Sequence, residues 1–218
     1  MNKTHRTIAS TLLLAAALAG SLSACVPVVI TGVGAGVLMV SDRRTSGTYV
    51  EDEEIELKVG NRVDEKIGNQ VHLNATSFNR KVLLTGEAPS AEIKAQIKAI
   101  AAAVPNVTGV IDEVQIAGIS SLTARSNDTV ITSKVKARFV DASKFSAQHV
   151  KVITEAGTVY LVGIVTQREA DAAIEITRTT SGVRKVVNVM EIISEAQARQ
   201  IDNRQAASKS SAAPATTN

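Results

Sequence analysis

Tryptophan is absent from the 218 residues, and two tyrosines and three phenylalanines make up the whole aromatic complement. A single-stranded nucleic-acid platform, which stacks bases on aromatic rings, has almost nothing to be built from, and no nucleic-acid partner is expected. Cysteine occurs once, at Cys25, so the chain cannot form an internal disulfide, and a free thiol in an oxidising compartment would be a liability. Beyond the first 24 residues there are two histidines and no nucleophile motif, too few parts for an expected catalytic site. Long apolar runs are missing as well. A spanning helix needs roughly 18 residues, and the best candidate, Val26 to Val40, is short and broken by Gly32, Gly34 and Gly36. Those glycines lack the full GxGxxG spacing and a strand-then-helix setting, so they mark no nucleotide site. The formal net charge of +3 is mild and sits partly in the N-terminal segment, so charge has to be read locally.

What is present begins at the N-terminus. Lys3 and Arg6 form a basic start, Ile8 to Ala19 is almost continuously apolar, and Leu22-Ser23-Ala24-Cys25 closes the segment with small residues and a thiol. The first two features are those of a secretory signal, and the order of all three resembles the lipobox of bacterial lipoproteins. That resemblance implies cleavage before Cys25 and acylation of it, including palmitate. Each buried methylene contributes about 0.8 kcal/mol and stable anchoring takes two chains or a second signal, so a multiply acylated Cys25 would hold the protein on a membrane. Val26 follows, where an aspartate would favour inner-membrane retention in those families; the resemblance thus implies an outer-membrane anchor facing the periplasm.

The rest of the chain repeats itself. Asp52, Ile55, Lys58, Val59 and Arg62 recur 76 residues later as Asp128, Ile131, Lys134, Val135 and Arg138; His72, Val82, Leu84 and Gly86 recur 77 later as His149, Val159, Leu161 and Gly163. Each copy reads as helix, two strands, helix, strand. Ile55, Val59, Val63 and Ile131, Val135, Phe139 are spaced for one helical face, with Asp52 and Asp128 expected at the helix N-termini. Strands are expected at 71–77 and 81–86, then at 149–154 and 158–163, joined by Phe78-Asn79-Arg80 and Glu155-Ala156-Gly157 as hairpin connections. Gly86 and Gly163 are read as strand-to-helix turns. The second helices begin after Pro89 and Thr166, and closing strands span 107–116 and 183–193. His72 and His149 stand at matching positions, which duplication explains without a metal; no metal and no cofactor are expected.

This α-β-β-α-β order, with Leu84-Thr85-Gly86 before the second helix and Val104-Pro105-Asn106-Val107 after it, resembles the BON domain in both copies. The chain as a whole resembles the dual-BON outer-membrane lipoproteins. The expected class is α+β, two tandem BON-like units that are each a small three-stranded sheet against two helices. The expected layout is a signal peptide at 1–24, a lipidated tether and linker at 25–50, a first unit at 51–118, a linker at 119–126, a second unit at 127–195, and a disordered polar tail at 196–218. Each unit is about seventy residues, a size at which one core is marginal, so the two are expected to support one another.

The first helices differ in charge. Glu51, Asp52, Glu53, Glu54, Glu56, Asp64 and Glu65 outnumber Lys58, Arg62 and Lys66 in the first copy, whereas Lys134, Lys136, Arg138 and Lys144 outnumber Asp128 and Asp141 in the second. Val130, Lys134 and Arg138 are spaced to lie together on one flank. The family resemblance implies that anionic phospholipid is contacted around this second-copy helix, which here carries Asp128, Thr129, Val130, Lys134 and Arg138. The competing expectation is a protein-interaction module of envelope assembly or division, using the acidic helix at 51–56.

Overall fold

The structure is a computed structural model that describes residues 42–212. Cys25, the signal and most of the tether lie outside the described residues. Among those described, no helix is long and apolar enough to cross a membrane.

Helix α1 (Ser46–Lys66) starts where Thr45 Oγ1 accepts the amide of Thr48, and it buries Ile55, Val59 and Val63 along one stripe. Strands β1 (His72–Phe78) and β2 (Lys81–Ala88) form an antiparallel hairpin. Helix α2 (Ala91–Ala102), capped by Ser90, crosses back so that β3 (Gly109–Asp112) and β4 (Gln115–Ile116) run parallel to β2. The second copy repeats this as α3 (Leu122–Ala142), β5 (Val150–Glu155), β6 (Thr158–Thr166), α4 (Gln167–Arg178), β7 (Lys185–Asn188) and β8 (Glu191–Ile193). The expected α+β class and both three-stranded arrangements are present. Each closing strand is broken in the middle, because Asp112 takes the amide of Val114 at 3.2 Å and Asn188 that of Met190 at 2.9 Å, turning Val114 and Met190 into the cores.

Three expectations change. Asp52 and Asp128 are not N-caps, since both helices begin earlier, at Thr45 and Ser121. They lie on the buried face, and each carboxylate accepts two consecutive amides of the facing hairpin turn: Asn79 and Arg80 at 2.8 Å, and Ala156 and Gly157 at 2.9 and 2.8 Å. The turns have two central residues, all with positive φ (51° and 63°, then 48° and 73°), as hairpins of the I′ kind require. The aspartate therefore pins a turn of unfavourable backbone to the helix above it. Secondly, Gly86 and Gly163 are not turn residues. They sit within β2 and β6, where an added Cβ would lie 2.0 Å from the carbonyl oxygen of His72 and 2.2 Å from that of His149, so close backbone approach excludes any side chain.

The third change concerns the boundaries. The stretch expected to be a disordered tail forms helix α5 (Glu195–Ala212), and the expected linkers contribute the first turns of α1 and α3. Alanine, glutamine and arginine are good helix formers, and α5 is held by polar contacts with a distant segment, which local hydrophobicity does not reveal. Asp202 accepts from Arg43 at 2.9 and 3.0 Å, and Gln205 donates to the carbonyls of Asp42 at 2.7 Å and Arg44 at 3.3 Å.

Each unit has its own core, around Val59, Leu84 and Ile97 in the first and Val135, Leu161 and Ala173 in the second. A third core joins them. Phe78 and Leu83 from one sheet meet Tyr160, Val162 and Ile164 from the other. Strands β2 and β6 are consequently covered on both faces, and Val82-Leu83-Leu84 and Val159 to Val165 read as apolar runs rather than alternation.

Candidate functional site

Helix α3 is fixed from below by Ile131, Val135 and Phe139, and from its side by the Asp128 clamp. This leaves the opposite face outward, and there Leu122, Val130 and Val140 stand 75 %, 50 % and 63 % exposed. Leu122 and Val140 are about five turns apart at 3.6 residues per turn, so they lie on one line along the helix. Ser126, Ser133 and Ala137 fill the strip between them, and the exposed Lys134 and Lys136 border it on either side. The result is a shallow strip of aliphatic and small side chains bordered by two lysines, with the exposed Asp141 about two turns beyond Lys134 on the same edge.

The sequence-derived residues divide across this geometry. Val130 and Lys134 belong to the outward face, and Thr129 sits beside them, its hydroxyl donating to the Arg125 carbonyl at 3.1 Å. Asp128 is buried and occupied by the hairpin turn. Arg138 points away from the strip: its guanidinium donates to the carbonyl of Ile176 and to Thr180 Oγ1, both at 2.7 Å, closing the C-terminal end of α4. Its counterpart Arg62 does the same for α2 through the Ala103 carbonyl at 3.0 Å. Favourable electrostatics between a cation and a helix C-terminus explain why both copies carry arginine here. Leu122 and Val140 were missed by the sequence reading, and Lys136 entered it only through the charge of the helix. The serine before Leu122 was the available signal, since it caps the helix a turn and a half ahead of the expected start.

The corresponding face of α1 is different. That helix carries seven acids against three bases, and its exposed apolar residues, Val50 and Leu57, stand among them.

The segment leading into α1 locks the two units together. Arg43 is 6 % exposed and donates to Glu169 at 2.6 and 3.1 Å, to the Ile164 carbonyl at 3.2 Å, and to Asp202 of α5. Its neighbour Arg44 turns to the first unit, donating to Asp52 at 2.9 Å and lying 4.1 Å over the Phe78 ring. Burial works against the charge of Arg43, but its hydrogen bonds to Asp202 and Glu169 outweigh it and hold the guanidinium above its ordinary pKa. Burial likewise opposes ionisation of Glu169, yet Arg43 and the Thr166 amide bring its carboxyl below the usual range. Burial, then the charge of Arg43, lowers His149.

A sequence profile described as the BON domain matches residues 51–118 and 127–194. The chain is 37 % identical over 174 residues to "Outer membrane lipoprotein DolP" of Haemophilus influenzae, covering 79 % of this chain and 90 % of that protein. It is 34 % identical over 154 residues to the "21 kDa hemolysin" of Actinobacillus pleuropneumoniae, covering 70 % and 79 %. Over 190 residues it is 28 % identical to "Osmotically-inducible protein Y" of Escherichia coli, covering 85 % and 94 %.

Proposed function

The chain belongs to the BON-domain family as a dual-BON outer-membrane lipoprotein, and from that premise we propose that it is a non-enzymatic periplasm-facing protein that binds anionic phospholipid through the outward face of α3, in support of envelope integrity. In this reading Cys25 carries the acyl chains and the second unit supplies the headgroup contact. The observation that carries the proposal is the strip Leu122, Val130 and Val140 between Lys134 and Lys136, set against the acidic face of the same helix in the first copy. Each lysine near an acidic bilayer contributes about 1 kcal/mol, and the exposed aliphatic side chains add shallow insertion at the interface.

The test is co-sedimentation of residues 41–218, without acyl chains, with vesicles of matched acidic and neutral composition. Wild type should pellet with the acidic vesicles. Lys134→Glu with Lys136→Glu should bind them at least about tenfold more weakly, because two attractive contributions become repulsive. Equal binding by the doubly reversed chain, or no preference for acidic vesicles, would move the reading to protein interaction through the acidic face of α1.

A further inference from the structure

Where the two units meet on the side away from Arg43, buried charges of one sign collect. His72 and Glu87 face one another across β1 and β2, and Glu155 reaches in from β5 of the second unit. The ligand-type atoms of these three side chains all lie within 4.8 Å of one another. Glu87 and Glu155 are only 5 % and 6 % exposed, and no lysine or arginine among the described residues forms an ion pair with either. Two carboxylates removed from water without a counter-charge are costly to hold ionised.

Three further features point to a ligand. His72 Nε2 is 3.6 Å from Glu155 Oε1, and it is buried with no hydrogen-bond partner among the described residues. The outer oxygens are already oriented: Asn74 Nδ2 donates to Glu155 Oε2 at 2.8 Å and the Ser120 amide to Glu87 Oε2 at 3.3 Å. A metal's carboxylate ligands are held by outer-shell donors in the same way. Finally, His72 and Glu155 line a cavity of about 430 Å³, which gives a small ion a way in.

The matching corner of the second unit shows the alternative solution. There His149 Nδ1 is 3.8 Å from Glu169 Oε1, and the Arg43 guanidinium supplies the positive charge at 2.6 Å. The corner at His72 also holds two carboxylates, Glu87 and Glu155, but neither is paired with an arginine. Two cations, Arg125 and Lys136, also line the cavity, but Arg125 donates to the Ser120 carbonyl and neither forms an ion pair with Glu87 or Glu155.

We propose that His72, Glu87 and Glu155 form a site for one divalent cation of the zinc class, which clips the two BON units together. One imidazole nitrogen and two carboxylate oxygens are a zinc-type donor set, with a fourth position left for water. Ligand atoms about 2.0–2.2 Å from a tetrahedral zinc lie roughly 3.3–3.6 Å apart, so the His72 to Glu155 separation already fits, and glutamate rotation can close the rest. The ion would neutralise both carboxylates and tie β1 and β2 to β5.

The test strips the full mature chain in detergent with a chelator, reloads it with zinc chloride, and measures retained metal and melting temperature. We expect one zinc per chain and a higher melting temperature. His72→Asn, Glu87→Gln and Glu155→Gln should each weaken zinc binding about a hundredfold, and Asn74→Ala about tenfold. His149→Asn should leave binding unchanged. Without metal, Glu87→Gln should be at least as stable as wild type, because it removes one of two repelling charges. If a variant fails to fold, the cobalt-loaded wild type still decides: a ligand-field spectrum with a nitrogen ligand supports the site. Failure of wild type to retain one zinc, or retention undiminished in folded His72→Asn, overturns the proposal. So does a chelator-treated chain in which the pair simply shares a proton and zinc adds no stability.

Discussion

Leu83→Ala removes a side chain that is 2 % exposed and belongs to the core between the sheets rather than to the core of its own unit. Large-to-small changes at such positions cost about 2–5 kcal/mol, the spread reflecting how far the surroundings collapse. Leu83 packs with Tyr160, Val162 and Ile164 of the second unit, so the lost contacts belong to both. The loss should therefore appear in both units at once, with the urea midpoint falling by about 1–2.5 M at a slope of roughly 2 kcal/mol per M. Urea titration should be followed by circular dichroism and by nuclear magnetic resonance signals assigned to each unit. Coincident transitions that move together are expected. If the second-unit signals keep the wild-type midpoint while only the first unit weakens, the sheet-to-sheet core does not couple the units, and the reasoning fails.

Arg43→Met should cost about 3–5 kcal/mol, because it leaves Glu169 buried without its partner and frees α5; amide exchange along α5 should accelerate first. Gly86→Ala should prevent folding or lower the melting temperature steeply, since its Cβ would overlap the His72 carbonyl at a φ of 119°. On pH, the folded values of both His149 and Glu169 lie below their ordinary values. The unfolded chain then binds more protons, and stability falls as pH drops, first below the ordinary imidazole value of 6.5 and then through the carboxylate range. His149→Gln should flatten the first part of that fall in thermal melts between about pH 5 and pH 8.

The helical stripes at Ile55, Val59, Val63 and at Ile131, Val135, Phe139 were legible in the sequence because burial on one helix face imposes a local period. The duplication was legible for the same reason. Contacts that link distant segments left no such mark. Asp52 and Asp128 look like caps in sequence because an acid near a helix start is favourable; only the fold places a hairpin turn against them. Arg138 has the spacing of an outward residue, yet the end of α4 lies within its reach. Arg43 and Asp202 are 159 residues apart, and a polar tail reads as disordered until its partner is in view. The strip proposed to face lipid was half visible: Val130 and Lys134 were identified, Leu122 required the true start of α3, and Val140 lay inside the expected helix but was passed over because it falls on a different line from Val130.

The central claim is tested most directly by adding acidic vesicles doped with spin-labelled lipid to the isotopically labelled soluble chain and recording residue-by-residue broadening. Signals of Leu122, Val130, Lys134, Lys136 and Val140 should broaden selectively, while those of Leu57 and the acidic α1 face stay sharp, and the effect should shrink as salt screens the lysines over about 8–10 Å. Broadening centred on α1, or none at either helix at low salt, would contradict the account.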